Sequence, residues 1–140
     1  MKIYTYLLVL LAFSCADSKL VSHEQTADIK FKSSYLQEVI PGQEDGEKIM
    51  VLTFEIENIA PGYQLDSVYY KTYFTRLITN SSEVEPKLMA KIRLQSDTVK
   101  IVPPYPLLDT EALIRYTDPL GVRNFYKVEN IFRKEPIFQP

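Results

Sequence analysis

Met50-Val51-Leu52-Thr53-Phe54-Glu55-Ile56-Glu57 is the stretch whose pattern decides the fold class. Met50, Leu52, Phe54 and Ile56 take every second place, and Thr53, Glu55 and Glu57 stand between them. Successive side chains of an extended strand leave opposite faces, so a period of two puts the four apolar groups on one buried face. A helix needs apolar residues three and four apart, and no window of about 11 residues in this chain carries that period.

Working outward, the same alternation recurs between turn signals. Ile29, Phe31, Tyr35, Gln37 and Val39 predict a first strand ending at Pro41-Gly42, followed by a polar turn from Gly42 to Glu47. Pro61-Gly62 marks a turn between Asn58 and Gln64. Val68 to Leu77 is expected to be one strand, with Val68, Tyr70, Thr72 and Phe74 on one face and Tyr69, Lys71, Tyr73 and Thr75 on the other. Thr79 to Pro86 is expected to be a loop. Leu88, Ala90, Ile92 and Leu94 then alternate with Met89, Lys91, Arg93 and Gln95, and a short strand is expected from Val99 to Val102. Pro103, Pro104 and Pro106 enforce an extended connection. Ala112, Ile114 and Tyr116 lead into Asp118-Pro119-Leu120-Gly121, which fits a type I turn, so residues 111–130 read as a hairpin. The tail Pro136 to Pro140 is apolar enough to be expected across one end of the domain. Roughly seven short strands of this kind predict an all-β chain, a single antiparallel β-sandwich of immunoglobulin-like type. A small Greek-key barrel is the alternative.

The 140 residues suit one domain with one core. Sixteen Lys and Arg stand against 18 Asp and Glu, a formal charge of −2. That balance argues against nucleic acid, whose phosphates require a surplus of cations. One His and one Cys leave too few groups for most metal sites or for His- or Cys-based catalysis.

The first fifteen residues carry an address. Lys2 precedes an apolar run from Ile3 to Phe13, which ends at Ser14-Cys15. About a dozen residues suits a signal-peptide core, whereas a spanning helix needs roughly 20. Ala12-Phe13-Ser14-Cys15 resembles the lipobox of bacterial lipoproteins, in which the Cys is diacylated and becomes the mature N-terminus. The resemblance implies a signal peptide over residues 1–14, a lipidation site at Cys15, a flexible tether over 15–27 and the sandwich domain over 28–140. It also implies a membrane partner held through the lipid. Ala16, in place of Asp, favours the outer membrane in enteric-type sorting. Cleavage after Ser14-Cys15-Ala16 by the ordinary signal peptidase, releasing a soluble protein, is the alternative. With Cys15 acylated no thiol remains for an internal disulfide, so the domain relies on packing. His23, in the polar tether, reads as solvated.

Further fragments carry a second resemblance. Glu38-Val39-Ile40-Pro41-Gly42, Leu65-Asp66-Ser67-Val68-Tyr69, Glu111-Ala112-Leu113-Ile114-Arg115-Tyr116 and the terminal Tyr-rich hairpin are similar to small lipoproteins of flavobacterial type, from the Bacteroidota. This implies a compartment rather than an activity.

Chemistry-bearing motifs are sparse. There is no phosphate loop, Cys-x-x-Cys pair, zinc helix or nucleophile elbow. Glu55 and Glu57 with Glu111 or Asp118 could in principle form an acid pair, but a solvated strand face is the preferred reading. Glu44-Asp45-Gly46-Glu47 lacks calcium-loop spacing. No catalytic residue, metal or cofactor is therefore expected. Tyr69, Lys71 and Tyr73, expected on one sheet face, form a candidate ligand face for a sugar or peptide, with Tyr63 and Tyr105 in loops. Asp66-Ser67-Val68 and Asp97-Thr98-Val99 resemble the O-glycosylation motif of exported Bacteroidota proteins, making Ser67 and Thr98 candidate sites at strand starts. Asn80-Ser81-Ser82 is a sequon on paper, but a bacterial lipoprotein usually meets no enzyme to use it. The expectation is a lipid-anchored accessory protein without enzymatic activity, bound to an envelope protein. A surface glycan- or peptide-binding module is the alternative.

Overall fold

The computed structural model describes residues 28–80, 84–94 and 100–140. The signal peptide, the tether, Cys15, His23, Ser81, Ser82, Thr98 and Val99 lie outside the described residues. The described chain forms ten short strands and no helix.

The alternating stretch around Phe54 lies in β2 (Ile49–Ile59), which pairs antiparallel with β1 (Ile29–Pro41) on one side and β6 (Lys87–Arg93) on the other. Leu36, Leu52 and Ala90 stand side by side across the three strands, as do Ser34, Phe54 and Leu88. Both rows face inward. A second sheet of β3 (Gln64–Tyr70), β4 (Tyr73–Arg76), β7 (Ala112–Thr117) and β8 (Arg123–Val128) packs Val68, Tyr70, Ile114 and Val128 against them. Adding β5 (Ile78–Asn80), β9 (Phe132–Arg133) and β10 (Ile137–Gln139) gives one sheet of order β10-β1-β2-β6-β5, with β9 also on β1. The other sheet runs β4-β3-β7-β8. The molecule is an all-β sandwich of two antiparallel-rich sheets, not a closed barrel. Among the described residues, parallel pairing occurs only where β9 and β10 meet β1.

The terminal hairpin forms as its turn residues dictate. The Gly121 amide donates to the Asp118 carbonyl at 2.9 Å, and Asp118 Oδ1 accepts from the Leu120 and Val122 amides. An Asp side chain bonding its own downstream backbone closes such a turn before any tertiary contact is made.

Four expectations are corrected. Residues 68–77 do not form one strand: β3 turns at Lys71-Thr72 and returns as β4, pairing Tyr69 with Phe74 and Tyr70 with Tyr73. Lys71 takes a left-handed backbone, φ 52°, which closes the turn without glycine. Part of the expected 79–86 loop is strand, because β5 pairs with β6. Residues 100–102 are not strand; the Ile101 amide donates to the Thr72 carbonyl and straps this segment to the hairpin turn. The tail does not cross an end but extends the edge of the six-stranded sheet, with Val39 beside Ile137 and Pro41 beside Gln139. Its backbone comes so near that a Cβ on Gly42 would lie 2.6 Å from the Gln139 carbonyl oxygen. Pro136 and Pro140 bracket β10, and prolines at an edge strand discourage pairing by a further chain.

Candidate functional site

The hairpin at Lys71-Thr72 decides which aromatic groups share a face. In the four-stranded sheet, Val68, Tyr70, Ile114 and Tyr126 point toward the other sheet, so their neighbours point away. Two rows result on the outside. One runs Phe74, Tyr69, Leu113, Lys127; the next runs Arg76, Ser67, Arg115, Phe125.

These rows assemble a connected aromatic surface. The Tyr69 ring lies 4.5 Å from Phe74 and 6.2 Å from Phe125, and Phe125 meets Tyr105 edge-on at 6.0 Å. The Arg115 guanidinium sits 5.1 Å over the Phe74 ring. The same guanidinium donates to Asp66 Oδ1 at 2.8 Å and to Ser67 Oγ at 3.2 Å. Asp66 falls where the β3–β7 register slips between Leu65 and Ser67, so it lacks a ladder partner of its own and its carboxylate reaches Arg115. Burial pushes the Asp66 pKa up, but the Ser67 hydroxyl, Arg115 and the nearby Arg123 outweigh it and hold it below the ordinary carboxylate value. The arginine is thereby fixed in place and its planar fork is held over the ring.

Arg76, Arg115, Arg123 and Lys127 all lie on this outer side, with the carboxylates of Asp66, Glu111 and Glu129 among them. The face is thus aromatic and arginine-bearing, with its charges nearly balanced. Glu111 is 7% exposed and accepts from the Leu108 amide and from Lys127 Nζ, each at 2.9 Å. Desolvation raises its pKa, but those two bonds win and the carboxyl stays below its ordinary value of 4.5. A carboxyl depressed in the folded state stabilises above its unfolded pKa, and that stability is lost as pH falls through the folded value. The wild-type urea midpoint is therefore expected to drop on acidification below about pH 4.5, and Glu111→Gln to show a shallower drop over the same range. Equal slopes in the two proteins would exclude Glu111 as a source of acid sensitivity.

The residues expected to share a ligand face are dispersed. Tyr69 is on the outer face. Tyr73 stands beside Tyr70 on the opposite side, packed against the inter-sheet core. Lys71 is in the turn, 3.5 Å from Asp109. Phe74, expected on the face opposite Tyr69, stands beside it because the turn at Lys71-Thr72 breaks the strand. Phe125 carried a usable signal, since Tyr126 and Val128 alternate inward and leave it outside. Tyr105 reaches the face from the proline-rich connection.

Ser67 is not at a solvent-reaching strand start: it is 5% exposed, within β3, with its hydroxyl bonded to Arg115. Thr98 lies outside the described residues. The acid pair is not assembled. Glu55 is on the outside of the six-stranded sheet between Ser33 and Lys87, whereas Glu111 bonds Lys127 on the outside of the other sheet. Tyr63 donates to Asp28 at 2.9 Å, near the start of β1, away from the aromatic rows.

Fold and face together define the class as a β-sandwich with an aromatic, arginine-bearing outer face on its smaller sheet. No protein-family model, no curated protein and no solved structure matches the chain.

Proposed function

We propose that this chain is a lipid-anchored accessory domain of a bacterial envelope that acts by binding a protein, as a small subunit of a larger complex at the outer membrane. The observation that carries the reading is the joined face of Tyr69, Phe74, Phe125 and Tyr105 with Arg115 held over it. Tyr, Phe and Arg are the residues enriched at protein interfaces, and clustered aromatic and Arg groups supply most binding energy where they occur. Leu113 beneath them is buried, which gives the rings a rigid bed.

The strand order supports an immunoglobulin-like assignment as well. Sheets ordered β1-β2-β6-β5 and β4-β3-β7-β8 follow the order of strands A, B, E and D against C′, C, F and G in that fold. In this proposal the lipid on Cys15 serves the same function, because a tether confines the domain near its partners and raises their effective concentration.

Two measurements test the proposal. Labelled palmitate is expected to enter the wild-type protein and not Cys15→Ala; a wild type without label removes the anchor. Purification from native membranes in mild detergent is expected to bring one envelope protein at near-equal amount. That protein should be lost from Tyr69→Ala/Phe125→Ala. A protein recovered alone, or a partner retained by the variant, counts against the reading.

A further inference from the structure

A sheet edge is a row of backbone amides and carbonyls open to another chain, and most edges of this sandwich are blunted. β10 is bracketed by Pro136 and Pro140, β5 has three residues, and β4 has four, with Thr75 Oγ1 donating across to the Lys91 carbonyl. β9 and β10 pair with β1 from Tyr35 to Pro41, and the first half of β1 carries register shifts between Lys30 and Ser33. β8 differs. Its six residues, Arg123–Val128, keep an unbroken register with β7, contain no proline and stand last in their sheet.

The hairpin turn fixes which backbone groups of β8 face outward. The Asp118 amide donates to the Val122 carbonyl at 2.9 Å, which makes 118 and 122 a hydrogen-bonded pair. Such pairs alternate along an antiparallel ladder. Asn124, Tyr126 and Val128 therefore turn their amides toward β7, and Arg123, Phe125 and Lys127 turn theirs to the open edge.

Charges on an edge strand ordinarily repel a second chain, and here their order makes the repulsion depend on register. Arg123, Phe125 and Lys127 share the outer face, and Glu129 joins them, its carboxylate 3.8 Å from Lys127 Nζ. Residues directly opposite each other in an antiparallel pair lie on one face. Two copies of β8 paired about Phe125 would set Arg123 against Lys127, like against like. Paired about Tyr126, they set Arg123 of each copy against Glu129 of the other, and Lys127 against Phe125, a cation beside a ring. Within the chain Arg123 makes no ion pair among the described residues. Lys127, the cation near Glu129, is held more closely by Glu111, at 2.9 Å. The register about Tyr126 also brings the outward amides of one copy opposite the outward carbonyls of the other. Asn130, φ 58°, ends the extended run just beyond Glu129.

We propose that two copies of this chain associate through β8, antiparallel about Tyr126, so that their four-stranded sheets join into one of eight strands. The association goes beyond the binding of an envelope protein and does not depend on it. The test is sedimentation of the full chain, purified in mild detergent and freed of other proteins, with amide exchange followed over a concentration series. The mass is expected to rise toward two chains with concentration. The amides of Arg123, Phe125 and Lys127 should exchange more slowly as it does, while those of Asn124 and Tyr126, already turned to β7, change little. Arg123→Glu and Glu129→Arg are each expected to weaken the dimer about tenfold or more, and Arg123→Glu/Glu129→Arg to restore it. Both side chains are exposed, so each variant should keep a urea midpoint near that of wild type. A monomer at up to about 1 mM chain overturns the proposal. So does a dimer that leaves the three edge amides unprotected, protection that is independent of concentration, or a double reversal that binds no more tightly than the single ones.

Discussion

Phe54→Ala is expected to destabilise the domain by about 3–5 kcal/mol, the range for deleting a fully buried aromatic side chain. Phe54 is 0% exposed at the middle of β2, with Ser34 and Leu88 beside it on the neighbouring strands and the Phe31 ring 5.5 Å away. The loss combines apolar surface returned to water with a cavity that two rigid sheets cannot close. A domain of this size has about 5–15 kcal/mol in total, so a large share goes at one position. The measurement is the urea midpoint, with the slope checked for constancy. Phe138→Ala is the internal control: that ring is 73% exposed on β10 and its loss should change stability by about 0.5 kcal/mol or less. A Phe54→Ala cost as small as that of Phe138→Ala would mean that the two sheets do not share this core.

Tyr69→Ala/Phe125→Ala is expected to weaken partner binding by about 100-fold or more, if each ring carries the roughly 2 kcal/mol of an interface hot spot. The two rings touch, so the double variant need not equal the sum of the singles. Some fold stability goes with them, because an aromatic pair contributes about 0.5–1.5 kcal/mol beyond its buried area. Tyr73→Ala separates the two effects. Tyr73 lies on the core side of the same hairpin, so its removal should lower stability while leaving partner retention intact in the folded fraction. Partner loss from Tyr73→Ala equal to that from the outer pair would return the binding role to a face that the hairpin divides.

The difference between Tyr69 and Tyr73 shows where reading by alternation stops. In an unbroken strand, residues 69 and 73 share a face. A two-residue turn between them changes the parity, and Tyr69 keeps the outside with Phe74 while Tyr73 joins Tyr70 within. Nothing local announced that turn, because Lys71-Thr72 contains neither glycine, proline nor asparagine. The Asp118-Pro119-Leu120-Gly121 turn was legible because its chemistry is self-contained: one carboxylate oxygen satisfies two nearby amides. Ser67 departs from its expected exposure for a related reason. It stands between Arg76 and Arg115 on the neighbouring strands, and its hydroxyl accepts from Arg115, 48 residues away.

The tail was hardest to place. Pro136 to Pro140 is apolar enough to be expected out of water, yet Ile137 and Phe138 stay 47% and 73% exposed. Backbone pairing with β1 put it at a sheet edge, and the absence of a side chain at Gly42 lets the two backbones meet.

The amino-acid sequence by itself determined the all-β character, the two-sided strands, the inward face of β2 and the closing turn of the last hairpin. Each follows from interactions within a few residues, because side-chain direction along a strand and hydrogen bonding within a turn are local. Only the tertiary structure decided which strands are neighbours, which rings meet on the outer face, and that β8 stands last in its sheet. Those contacts join residues tens of positions apart, and pairing across a sheet is chosen by the packing of the whole core.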